Sequence, residues 1–475
     1  MSSSVLVMKF GGTSVGSPAA IGHVAGLIAK EARKRPVAVV VSAMSQVTNM
    51  LLTTLDAAAQ GDSDFVDGSL ARILEKHHAA CDALLSGSRR AEVRVRMDEI
   101  LGDFARIARG VLLLHERPAR SVDEAAPTGE RLSALLLSEV LQAEHLGSEP
   151  LSGTDVIVTD AVFGGAVPYM DDTAENAEAL LRPVLDRGDV PVITGFNGAT
   201  REGTPTTLGR GGSDYSGAII AAALQAGELW IWTDVDGILS CDPTIAGDAR
   251  LLAEVTYNEA AELSYNGAKV LHPRTLAPLA EREIPVRIRN TFRPEHAGTR
   301  ISSTPFERRG VRAITSLSSV SLISIEANDL SMSGAQIMSR ALAAAARAKV
   351  EVLLLTRSSF RQNFCMLVHT ADVKPVLEGL REELALELAH GYLRPIDVDH
   401  SVGLLAAVGE GMRGTPGLAG RLFTAISEEQ VNIIAIAQGS SELTIAIVVN
   451  EQDLRKAVSA IHSECKLGRP VATAA

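Results

Sequence analysis

The sequence predicts an α/β protein whose larger part is a mainly parallel sheet with helices on both faces, followed by two small repeated units. Three observations lead there. Short β-rich runs alternate with helical patterns up to about residue 300, the unusual loops follow the carboxyl ends of those runs, and one pattern recurs with a shift of 81 residues near the C-terminus.

In chain order, the strand-like runs are "VLVMKF", "VAVVVS", "VPVITGF", "ELWIWT" and "IPVRIRN", with helical stretches such as "AAIGHVAGLIAKEARK" between them. Residues 61 to about 120 interrupt this rhythm with charged, helix-period sequence and read as a helical insertion within a domain spanning 1–300. His77 and His78 on it read as packed or solvated rather than metal-binding. The segment "RPEHAGTRISSTPFERRG" is rich in Pro, Gly, Ser and charge, and places a linker at 301–312. Beyond it, "VEVLLLTRSSFRQNFCMLV" from Val350 lines up with "VNIIAIAQGSSELTIAIVV" from Val431, each after a helical stretch. Two copies of a strand, helix, strand, strand unit account for this, one at 313–400 and one at 401–459, with 460–475 expected to complete the first.

The net charge of −12 and a pI near 5.5 argue against non-specific nucleic-acid binding, which needs a basic surface. An anionic ligand must therefore find a locally positive pocket. Cys81, Cys241, Cys365 and Cys465 are far apart and form no CxxC pair, which suggests neither a zinc site nor a disulfide framework and fits a reducing cytoplasm. No apolar run has the length of a membrane span, and the N-terminal apolar stretch is too short for a signal peptide.

The loops carry the chemistry. "GGTS", "SAMSQVT", "NGATREGTPTTLGRGGSD" and "TDVDG" each begin where a strand-like run ends, the edge at which open α/β sheets place ligands. Gly11 and Gly12 let backbone N–H groups approach a phosphate, and Lys9 adds a positive charge beside them; a plain strand-to-helix turn is the alternative. In "LGRGGSD", Ser213 is placed to cap the next helix, Arg210 offers a planar fork for a carboxylate, and Asp214 could accept from an ammonium or help place a metal. Asp234 and Asp236 fit turn chemistry, Glu130 fits the first turn of a helix, and Lys269 could reach an anion or remain solvated.

Taken together, "KFGGTSV", "TGERLSALLL", "LGRGGSDYS", "WTDVDGI" and "GAKVLHPRTL", in this order, resemble the aspartate kinases of the amino-acid kinase family. The resemblance implies an amino-acid-kinase-like sandwich followed by two ACT units of ferredoxin-like βαββαβ type, the second inserted into the first. It implies ATP-dependent phosphorylation of the L-aspartate β-carboxylate with Mg²⁺, and a homodimer or homotetramer formed through the ACT units. Catalytic roles fall to Lys9, Asp214 and Lys269. Ser42, Thr48, Glu130, Arg210 and Ser213 would hold the substrate, with Arg210 on the α-carboxylate and Glu130 on the α-ammonium. Lys9, Gly11, Gly12, Gly211, Gly212, Thr233, Asp234 and Lys269 would contact the nucleotide.

Two positions near the expected nucleotide depart from many relatives: Leu239 stands where a Tyr is common, and Thr244 where an Arg is. In the second ACT unit, Gln438, Gly439 and Ser440 resemble the effector motif of the threonine-responsive subfamily, whereas the first unit has Arg357 at the matching place. Threonine is the expected effector and lysine the other candidate. "CKLGRPVATAA" leaves no room for a fused homoserine dehydrogenase, so a monofunctional chain is expected. A different amino-acid kinase would not explain the full "LGRGGSDYS" and "GAKVLHP" set or the paired C-terminal units, and a non-catalytic amino-acid sensor need not retain Lys9, Arg210, Asp214 and Lys269 together.

Overall fold

The computed structural model describes residues 4–268, 271–303, 310–328, 333–358 and 363–468. Lys269 and most of the expected linker lie outside these residues. The chain falls into two compact units: 4–237 with 253–257 and 271–303, and 238–252 with 258–268 and the described residues from 310 on. Residues 238–252 and 258–268, which precede the expected boundary near residue 300, thus cluster with the C-terminal unit.

The first unit is built on eleven strands: β1 Leu6–Phe10, β2 Val37–Val41, β3 Ser148–Leu151, β4 Val158–Thr159, β5 Val190–Thr194, β6 Asn197–Thr200, β7 Pro205–Thr207, β8 Glu228–Thr233, β9 Glu254–Thr256, β10 Val286–Asn290 and β11 Thr299–Ser302. Eight of them form one sheet in the order β3-β5-β2-β1-β8-β10-β11-β9, parallel except where β10 meets β11. Every residue of β1, β2 and β5 is buried, as expected for strands covered on both faces, and this is why they read as continuous apolar runs. The chain runs from β1 to β2 on one side, while β8 flanks β1 on the other, so the strand order diverges on either side of β1. Parallel sheets leave a crevice at such a point. A second, three-stranded sheet, β4-β6-β7, lies in the same unit.

The expected insertion forms helices Ser63–Leu84, Gly87–Leu114 and Ala119–Ala125. It is no appendage: Val66, Ile73, Met97 and Phe104 share one apolar core with Leu6, Met8, Phe10 and Val39. His77 is packed as expected; its Nδ1 lies 2.7 Å from the Ile73 carbonyl, and burial pushes its pKa down to about 4. Among the described residues no group of three or more His, Cys, Asp or Glu could hold a metal. No described helix is long and apolar enough to cross a membrane.

The second unit carries β12 Ala313–Ile325, β13 Leu354–Arg357, β14 Phe364–His369, β15 Asp397–Val408, β16 Ile433–Gln438 and β17 Thr444–Asn450 in one antiparallel sheet, ordered β13-β14-β12-β15-β17-β16. The 81-residue repeat extends beyond its sequence match: helices Val373–Glu383 and Leu454–Glu464 keep the same offset. Each copy is therefore strand, helix, strand, strand, helix. Its last strand is borrowed. β12 pairs with β14 through 320–325, β15 pairs with β17 through 402–408, and the two long strands pair with each other across irregularities near Leu317 and Val320. Of 460–475, expected to complete the first copy, 460–464 belong to helix Leu454–Glu464 and 469–475 lie outside the described residues.

Candidate active site

The loop after β1 starts at the middle of the larger sheet. Lys9, inside that strand, is only 6 % exposed, and burying an ammonium is costly unless an opposite charge meets it. Asp214, in the first turn of helix Gly212–Ala223, does so: Lys9 Nζ lies 2.5 Å from its Oδ1. The pair fixes the ammonium at the carboxyl end of the sheet, beside Gly11, whose absent Cβ would sit 3.7 Å from Nζ.

Four glycine N–H groups were expected to face a phosphate. The Gly11 N–H instead donates to the Trp232 carbonyl at 3.1 Å, extending the β1/β8 ladder by one residue, and the Gly212 N–H donates to Gly209 O at 3.0 Å. Gly12 and Gly211 remain at the loop tips. Gly211 has φ of 72° and is itself the cap of the helix, which displaces Ser213 from the expected capping position into the first turn. The loop after β1 is also tied sideways: buried Ser14 Oγ lies 2.6 Å from Thr291 Oγ1 just past β10.

Beside this lies the loop after β2. The Ser42 N–H donates to Phe10 O at 3.1 Å, and Thr48 stands in the first turn of helix Val47–Ala59. Against it packs the start of helix Thr128–Ala143, so closely that a Cβ on Gly129 would come within 2.6 Å of the Ala43 Cβ. That contact brings in Glu130, which is 2 % exposed. Burial raises its pKa to about 7, while the Ala43 N–H, its own N–H and the positive charge of Lys9 pull the other way. Its Oε2 is buried with no hydrogen-bond partner among the described residues. A buried orphan acceptor of this kind suits a cationic ligand.

Arg210 is exposed on the loop between Gly209 and Gly211. Thr233 ends β8 next to β1 and Asp234 follows it, with Thr233 Oγ1 donating to Asp234 Oδ1 at 3.2 Å. Asp236 is held in the turn by Asn290 at 2.7 Å and Arg293 at 2.8 Å. In the segment carrying Lys269, residues 269 and 270 lie outside the described residues, which resume at Leu271. There His272, against Gly211, accepts from the Arg274 N–H to cap helix Pro273–Ala280. Two of the sequence motifs thus meet at Gly211. Sequence reasoning gave no role to Ser14, inside the "GGTS" loop, or to Asn290 and Thr291, which brace these loops from the end of the distant strand β10.

The amino acid kinase family profile matches residues 4–290, the span of the mainly parallel sheet and its loops; an ACT domain profile matches 405–465. Aspartokinase from Schizosaccharomyces pombe is 32 % identical over 496 residues, covering 97 % of this chain and 92 % of that one. The chloroplastic bifunctional aspartokinase/homoserine dehydrogenase 1 of Arabidopsis thaliana is 33 % identical over 472 residues. The chain spans about half the length of such bifunctional relatives: 98 % of it is covered but only 51 % of that protein. Among solved structures, Escherichia coli aspartokinase III in complex with aspartate and ADP (R-state) superposes with a TM-score of 0.83 at 29 % identity, covering 97 % of this chain and 99 % of that one. The same enzyme in complex with lysine and aspartate (T-state) gives 0.79, with the same identity and coverage. The chain belongs to the aspartokinases.

Proposed function

We propose that the chain transfers the γ-phosphoryl group of ATP to the β-carboxylate of L-aspartate, giving 4-phospho-L-aspartate, the first step towards lysine, threonine and methionine. The observation that carries this is the buried, unpartnered Glu130 Oε2 in reach of the Lys9 charge, which itself is held by Asp214. One side of the site calls for a cation and the other supplies one. An amino acid that presents its ammonium to Glu130 and a carboxylate towards Lys9 meets both demands.

An aspartate side chain, with an ordinary pKa of about 3.9, is already ionised at neutral pH, so it needs no base to become a nucleophile. Repulsion between that carboxylate and the triphosphate is the obstacle. Lys9 is placed to lower it, with the backbone N–H groups of Gly12 and Gly211 and, by resemblance, Lys269. Asp214 keeps the Lys9 ammonium aimed at the reacting groups. Arg210 would clamp the substrate α-carboxylate, with Ser42, Thr48 and Ser213 adding hydrogen bonds, while Thr233 and Asp234 would lie beside the nucleotide. Mg²⁺ would arrive with ATP and offset phosphate charge. An ATP-coupled hydroxamate assay with aspartate, glutamate and N-acetylglutamate tests the reading. Product with aspartate alone is expected, and no aspartate-dependent product would overturn it.

The same proposal includes feedback control by an amino acid, with threonine favoured over lysine. Gln438, at the end of β16, lines a cavity of about 240 Å³ with Met412, Thr415, Leu418 and Glu442. Gly417, at φ of 81°, precedes helix Leu418–Glu428 without a side-chain cap, so the first N–H groups of that helix can receive a carboxylate. Gly439 and Ser440 follow in the exposed turn, and Arg357 holds the corresponding end of β13 in the other copy. Pairing through the ACT units would give a homodimer or homotetramer. Initial rates with threonine and with lysine decide the effector, and a response to lysine alone would reverse the preference.

A further inference from the structure

Asp123 is 1 % exposed, lies in helix Ala119–Ala125 and belongs to none of the roles above. Its carboxylate accepts three hydrogen bonds. Oδ2 takes the Gly164 N–H at 2.9 Å and the Thr207 N–H at 2.9 Å, and Oδ1 takes the Thr207 hydroxyl at 2.7 Å. A buried carboxylate satisfied this fully holds its donors firmly, because each bond is charge-assisted and losing one would leave the charge exposed to an apolar interior.

What it holds is the base of the Arg210 loop. Thr207 ends β7, three residues before Arg210, and its carbonyl accepts the Ala166 N–H at 2.9 Å. Gly164 is the wall on the other side: a Cβ on Gly209 would lie 3.1 Å from the Gly164 carbonyl oxygen. One carboxylate therefore fastens both the strand that launches the loop and the turn on which the loop rests. Among the described residues, Arg210, between Gly209 and Gly211, has no comparable support of its own.

We propose that Asp123 is a positioning residue that sets the Arg210 loop and, through it, the affinity for the amino-acid substrate. This rests on reading Arg210 as the clamp for the substrate α-carboxylate. The test is a double-mutant cycle of wild type, Asp123→Ala, Arg210→Ala and the double variant, with Asp123→Asn alongside. Each is followed by steady-state kinetics in both substrates, by calorimetric aspartate binding and by thermal unfolding. Asp123→Ala is expected to raise the KM for aspartate about tenfold or more while the KM for ATP stays within about twofold. Asp123→Asn, whose amide oxygen can still accept both backbone N–H groups, should show the same pattern more weakly, and it carries the test if the alanine variant does not fold. In the Arg210→Ala background the Asp123 substitution should add less than about twofold. Additive effects, or KM values for aspartate and ATP rising together, would overturn the proposal and leave Asp123 a general structural residue. Wild-type protein that binds aspartate without phosphorylating it would strike only the kinase reading, since the binding cycle still reports on Asp123.

Discussion

The two larger sheets of the molecule differ in where charge is buried around them. In the first unit, Lys9 and Glu130 are buried near the carboxyl ends of parallel strands, and Glu130 keeps one oxygen unsatisfied. In the second, the buried charges Glu259 and Arg312 lie outside the strands, and ion pairs at the surface tie neighbouring helices together, as Arg421 does with Glu464. Its sheet interior is apolar, with Val320, Leu322, Leu367, Leu404 and Val448 in one cluster. A parallel sheet points every strand the same way and gathers its loops at one edge, where desolvated charges act on one another. An antiparallel sheet distributes its loops to both ends, and its repeated copies offer cavities at strand ends instead.

If that contrast is right, breaking the charge cluster of the first sheet has the largest effect. Lys9→Ala should lower kcat about 10²- to 10³-fold with circular dichroism unchanged, a loss typical of removing one preorganised electrostatic group. Wild-type turnover in that variant would take Lys9 out of the mechanism.

Glu130→Gln comes next and moves two observables in opposite directions. The KM for aspartate should rise at least about tenfold, because a neutral amide no longer answers the ammonium. Stability should improve at alkaline pH. A carboxyl whose pKa is raised in the fold from 4.5 to about 7 binds its proton more tightly when folded, so the wild type loses stability as pH climbs from about 4.5 through 7. The full cost, on the order of 3 kcal/mol, is felt above pH 7 and is absent in the glutamine variant. Denaturant midpoints at pH 5 and pH 8 measure it, and parallel pH trends in the two proteins would contradict it. Aspartate affinity should weaken below pH 7 for the same reason.

In the second sheet, Gln438→Ala should blunt inhibition by the effector while leaving kcat without effector unchanged. An unaltered inhibition curve would remove Gln438 from the regulatory site. The smallest effect is expected from Arg421→Ala, which breaks an exposed pair that water screens well. Its melting temperature should match that of the wild type within error, and a clear drop would show that surface pairs matter more in this unit than the contrast allows.

Much of this was legible in the chain before any coordinates. β1, β2, β5, β8 and β10 announce themselves by apolar, β-branched runs, and the glycine, lysine and acidic motifs fall at their ends. The meeting of Lys9 with Asp214 was not legible as geometry, since no local pattern relates residues so far apart. Ser213 was misplaced as a cap because a left-handed glycine can take that position, and side-chain preference says nothing about φ. Asp123 was invisible for a related reason: it sits in a short helix among ordinary residues, and only its partners at Gly164 and Thr207 reveal it. The long strands β12 and β15 each serve both repeats, which an 81-residue sequence match cannot express.

Gly129 has a consequence for anyone who would redesign the substrate preference. With no side chain there, the start of one helix and the loop after β2 touch backbone to side chain, so Ser42, Thr48 and Glu130 travel as a single cassette. A library that places any side chain at Gly129 will sample a clash with Ala43. Exchanging both segments together, as matched blocks, keeps the seam intact and opens a wider range of acceptors.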